Sequence, residues 1–144
     1  MMLTGSQFID AQRAYDRVAR ERKLSTLFAR LRRRCLDCAR LAVFDERSLR
    51  PTVGRGIREI PLESIIATVE PSRAEQFDRW FRPAGRVPRA RWQRVWLAEQ
   101  TGAALPPISV VKVGELYAVR DGHHRVSVAR ARGALTIDAV VEAG

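Results

Sequence analysis

The chain is short of several residue types. Only two cysteines occur in 144 residues, Cys35 and Cys38. They stand three apart within a helical pattern, so they share a face as small apolar residues, and no further ligands recur at the spacing of a structural zinc site. Histidine also occurs only twice, at the adjacent positions His123 and His124. Neighbours on a helix point about 100° apart and serve poorly as joint ligands for one ion. No protein-held metal is expected. Lysine is scarce, since 24 of the 26 basic residues are arginine. No apolar run approaches the roughly 20 residues that cross a bilayer, and no signal-like stretch opens the chain. The expectation is a cytoplasmic protein with no membrane partner. Internal repeats are absent, as are low-complexity tracts beyond the arginine bias.

What is present is enough for a core. Hydrophobic residues make up 46% of the chain and the net charge is +10. One domain, residues 51–144, is expected after an N-terminal arginine-rich helical extension, residues 1–50. An arginine excess suits an anionic partner, although genomic base composition produces the same bias. The charge is uneven: residues 1–50 carry +6, residues 51–104 carry +3 and residues 105–144 carry +1.

In the first third, Phe8, Ala11, Tyr15, Val18, Leu24, Leu27, Leu31, Cys35, Cys38 and Leu41 recur at threes and fours. This spacing predicts amphipathic helix, with Ser25 capping a second segment. Between the apolar positions lie Arg30, Arg32, Arg33 and Arg34, a cluster able to run along nucleic-acid phosphates or to stand as a solvated face. No aromatic residue interleaves it, so base stacking there is not supported. A homodimer paired through these helices is compatible with the pattern.

The middle reads as a helical insert at about 72–102. Ser72 and Glu75 have capping-box spacing, and Phe77, Trp80 and Phe81 follow as packing residues. After Pro83, Gly85 and Pro88, a helix from about Arg89 to Gln100 aligns Trp92, Val95 and Trp96 on one stripe. Arg79, Arg82, Arg86, Arg89 and Arg91 surround these aromatics, a distribution suited to a lid over a nucleotide or a nucleic-acid strand.

The last forty residues carry the sharpest signal. Ile108–Val113 and Leu116–Val119 are β-branched runs joined by Gly114-Glu115, which predicts two strands and a tight turn. Asp121-Gly122-His123-His124-Arg125 then breaks the strand pattern and opens a helix that Gly133 ends, before a final β-rich run from Leu135 to Val141. A helix start offers unpaired N–H groups and a positive dipole end, which suits a phosphate. Asp121 suits an N-cap, Gly122 lets a ligand reach the backbone, Arg125 can fork onto phosphate oxygens, and His123 and His124 can donate or shuttle a proton. The same five residues also read as a plain helix start, with Asp121 capping and pairing with Arg125 at i,i+4.

Residues Leu105 to Val141 resemble the ParB/sulfiredoxin-like superfamily, in which a Gly-x-x-Arg turn at a helix start touches nucleotide phosphates. Upstream, Arg58 to Ile65, with its Ile60-Pro61-Leu62 core, looks like the strand opening that domain in small bacterial ParB-like proteins. The resemblance implies an α+β fold with a small mixed sheet and packed helices. It also implies phosphate or nucleotide binding by Gly122, His123, His124 and Arg125, with CTP or ATP as cofactor and Mg²⁺ alongside. Sulfiredoxins carry a redox cysteine where His123 stands, so sulfinic acid reduction is not implied. Partition proteins carry there a glutamate tied to nucleotide hydrolysis, and an arginine where His124 stands; Arg125 is retained. Their helix-turn-helix reader has no counterpart in these 144 residues. Three readings follow. One is a nucleotide-responsive, nucleic-acid-associated regulator. The second is a small nucleotide-hydrolysing or phosphotransfer enzyme, with His123 or Asp121 as base. The third is an interaction module that keeps the fold without the ligand.

Overall fold

The computed structural model describes residues 5–32, 40–45, 56–84 and 88–143. In chain order the elements are α1 (Gly5–Leu31), β1 (Ala42–Val43), β2 (Gly56–Pro61), a 3-10 turn (Leu62–Ser64) and β3 (Ile65–Thr68). There follow α2 (Pro71–Ala74), α3 (Arg89–Gln100), β4 (Ile108–Val113), β5 (Leu116–Asp121), α4 (His123–Ala131) and β6 (Thr136–Ala143). The six strands form one mixed sheet in the order β1-β3-β5-β4-β6-β2. The architecture is therefore α+β, as expected. Pairing is parallel for β1 with β3, β3 with β5 and β4 with β6, and antiparallel for β4 with β5 and β2 with β6.

The β4–β5 hairpin turns at Gly114, whose φ of 62° suits a residue without Cβ, and Gly133 ends α4 at φ 75°. The predicted stripe on α3 faces inward, with Trp92 fully buried and Trp96 and Leu97 beside it. Trp92 ties three helices together. Its ring meets Tyr15 of α1 edge-on at 5.5 Å and 77°. Its Nε1–H donates to Ser127 Oγ of α4 at 2.8 Å in a buried bond. Ala11, Ala14, Tyr15 and Val18 of α1 join the same core cluster as Ile108, Val110 and Val119 of the sheet.

Several expectations change. The first helix is continuous through Ser25, because no glycine or proline interrupts it there, and the neighbouring Thr26 hydroxyl is accommodated by donating to Arg22 O at 3.0 Å within the helix. Its second half does not pack as the apolar spacing suggested: Leu24, Leu27 and Leu31 are exposed, as is Phe8 near its start. The capping box is not formed, since α2 begins at Pro71 with Glu70 as its N-cap, so Ser72 lies inside the turn. Trp80 is 41% exposed while Phe77 and Phe81 are buried. Cys35, Cys38, Arg33, Arg34, Gly85 and Arg86 lie outside the described residues. Among the described residues no helix is long and apolar enough to cross a membrane.

Candidate functional site

β5 runs up the middle of the sheet, and Gly122 bends the chain into α4 with φ 105° and ψ 26°. A Cβ at this position would lie 2.5 Å from Ile108 Cγ2. Glycine is thus demanded by backbone handedness and by close packing on β4. Asp121 is the last residue of β5, and Gly122 takes the N-cap position with no side-chain capping bond. The cap role anticipated for Asp121 is therefore not filled by it, and Arg125 pairs elsewhere. The first amides of α4, those of His123, His124 and Arg125, lie beyond the reach of intrahelical acceptors, and the first helical bond runs from Val126 N–H to Gly122 O at 3.0 Å.

His123 and His124 both turn inward, 4% and 5% exposed. In the parallel pairing of β3 with β5, Thr68 lies beside Val119. That register brings Thr68 Oγ1 to 2.7 Å from His123 Nε2 while the same hydroxyl accepts the Glu70 N–H at 2.9 Å. Phe77 stacks nearly parallel on His123 at 6.2 Å and meets His124 edge-on at 5.3 Å. Burial is the main reason that each ring titrates low, at about 4. The Arg73 guanidinium pushes both rings in the same direction, and Arg91 adds its push on His124. Both histidines are neutral at physiological pH.

Three polar side-chain atoms at this helix start are buried without a hydrogen-bond partner among the described residues: His124 Nε2, Arg125 Nε and Arg125 Nη1. Arg125 Nη2 stands 3.6 Å from Glu99 Oε1, an ion pair too long to count as a hydrogen bond. Gly122 to Arg125 form the first turn of α4, with Arg73 from α2 acting on both histidine rings and Arg91 from α3 on His124. Thr68, Phe77 and Arg73 were not anticipated as members of this site. Thr68 is 55 residues from His123 in sequence, and no spacing rule connects them. Arg30 and Arg32 stand apart, at the exposed end of α1.

No protein-family model matches the chain. No curated protein matches it in sequence either. Among solved structures it is similar to sulfiredoxin from Arabidopsis thaliana, at 21% identity, over 62% of this chain and 86% of that one, with a TM-score of 0.47.

Proposed function

We propose that the chain binds a nucleotide through its phosphates at the start of α4 and works as a nucleotide-responsive, nucleic-acid-associated regulator. The observation that carries this reading is the set of unpartnered buried atoms on His124 and Arg125 in the first turn of α4. A buried polar group without a partner costs about 1–3 kcal/mol, and phosphate oxygens supply the missing acceptors. The amides of His123, His124 and Arg125 and the dipole of α4 favour the same charge. Arg73 and Arg91 add positive potential from two other helices. CTP or ATP is the proposed cofactor, with Mg²⁺ held mainly by phosphate and water.

His123 is poorly placed to act as a base. Its ring titrates at about 4, and its Nε2 is engaged by Thr68. An efficient general base has a pKa near the working pH, so a sensor is favoured over a hydrolase. Asp121, exposed at the end of β5, is the base available to the enzyme reading.

Melting the protein with CTP, ATP and GTP, with and without Mg²⁺, tests the proposal. A ligand at 100 times its dissociation constant adds about 2.7 kcal/mol to stability. The expected result is a rise in melting temperature with one nucleotide, lost in Arg125→Ala and reduced in Arg91→Ala. No rise with any of them would sink the reading, and phosphate release at a catalytic rate would replace the sensor by the enzyme.

A further inference from the structure

Two open cavities, of ≈ 760 and ≈ 540 Å³, lie against α1 and share Arg17, Ala131 and Arg132. Together they form one groove that follows α1 from Asp10 to Ser25, a path of about 22 Å at 1.5 Å per helical residue. Guanidiniums line it, and their partners matter. Arg17 donates to Ala131 O at 2.8 Å, Arg132 to Gln100 Oε1 at 2.6 Å and Arg130 to Leu62 O at 2.9 Å. Every one of these acceptors is neutral. Neutral acceptors thus hold these side chains in position, and the Asp78 and Glu63 carboxylates act on Arg130 as well. Three carboxylates also line the groove, Asp10, Asp16 and Glu21, against six guanidiniums, and Asp16 is already bridged to Arg89 at 2.7 Å.

One end of the groove is aromatic. Trp80 lines it, 41% exposed, with the Arg79 and Arg82 guanidiniums both over its ring at 4.7 Å from the centroid; Arg82 is held by Asp78, so a stacking base takes the place of Arg79. The turn beneath is tightly specified. The Asp78 carboxylate accepts the N–H groups of Trp80 and Arg82 at 2.9 Å and bridges Arg82 Nε at 2.7 Å. Phe81 is buried at φ 59°, a left-handed conformation that a bulky residue adopts only when its surroundings impose it. The strained turn sends Phe81 inward and presents Trp80 outward.

We propose that this groove binds single-stranded nucleic acid, with phosphates along Arg17 and Arg132 and a base stacked at Trp80. A line of fixed cations tracks a backbone, and a flat aromatic among guanidiniums stacks on any base. An acidic peptide would use the cations and leave the ring idle. The inference rests on the nucleic-acid part of the proposed function and moves the contact from Arg30 and Arg32 to the α1 groove; it does not depend on the α4 start.

The test is fluorescence anisotropy of a labelled oligothymidylate about 12 nucleotides long, titrated with the full chain across a salt series. Binding should weaken steeply with salt. The double variant Arg17→Gln, Arg132→Gln should lower the slope of log affinity against log salt by about 1.4, at about 0.7 per single-strand phosphate. Trp80→Ala should weaken binding about tenfold at every salt concentration. Unchanged melting temperatures confirm that the variants fold, and Arg20→Gln, on an exposed residue of the same groove, gives a second reading of the slope. Arg125→Ala should bind the oligonucleotide as wild type does, whatever its nucleotide response. Loss confined to Arg30→Gln, Arg32→Gln would overturn the groove and leave nucleic-acid association standing. No salt-dependent binding at all would overturn both. Equal competition by polyglutamate, or preference for duplex of the same length, would also overturn the single-strand assignment.

Discussion

Gly122 carries two constraints at once. Its φ of 105° excludes most side chains, and Ile108 occupies the space where a Cβ would go. Gly122→Ala should therefore destabilise the fold by about 2 kcal/mol or more, measured by urea unfolding; a loss under about 0.5 kcal/mol would contradict the packing described. His123 and His124 make a pH prediction. Their folded pKa values, about 4, lie below the ordinary 6.5, so the unfolded chain binds protons first as pH falls. The stability contributed by the neutral rings is complete above pH 6.5 and is lost as pH falls through that value toward 4. At 1.36 kcal/mol per pKa unit the loss is of order 3 kcal/mol per ring. Unfolding free energy measured from about pH 7.5 down to about pH 4.5 should fall across this range. His124→Leu, which leaves no protein partner stranded, should flatten it by about one ring's share.

At the scale of elements, the helices are joined through Trp92. Removing the Ser127 hydroxyl strands the buried indole N–H, so Ser127→Ala should cost about 1–3 kcal/mol in chemical unfolding. Tyr15→Ala should cost about 3–5 kcal/mol, because Tyr15 is buried in the cluster that includes the sheet residues Val110 and Val119. A loss below about 1 kcal/mol would mean that α1 is only loosely attached. The two halves of that helix behave differently. Ala11, Ala14, Tyr15 and Val18 are buried in the core cluster, while Leu24, Leu27, Phe28 and Leu31 keep their apolar surface exposed. Periodicity reports that a helix has an apolar face and does not report how much of the face finds a partner.

At the scale of the molecule, two positive surfaces lie at opposite ends of α4, and the two proposals assign them different ligands. The α4 start gathers Arg125, Arg73 and Arg91, whereas the α1 groove gathers Arg17, Arg130 and Arg132. Arg125→Ala should abolish the nucleotide-induced rise in melting temperature and leave oligonucleotide affinity intact. Arg17→Gln, Arg132→Gln should do the reverse. Strong coupling between the two measurements would show that the surfaces act as one. A net charge of +10 favours encounter with polyanions in general, and the paired variants test where one would settle.

What the sequence determined by itself was local. The β4–β5 hairpin, the span of α3, the glycine at the head of α4 and the glycine at its end all follow from short-range rules of turns, caps and periodicity. The roles of the motif residues did not follow. His123 is turned inward by Thr68 and Phe77, and Asp121 loses the cap to Gly122. Trp80 faces out because Asp78 ties the turn beneath it, and the α1 groove exists because Arg17 reaches Ala131, 114 residues away. Those contacts join residues distant in sequence, which only the packing of helices on the sheet brings together. Local propensity can choose a helix or a strand, and the tertiary structure alone decides which polar atoms are buried without a partner and which guanidiniums are held by neutral acceptors.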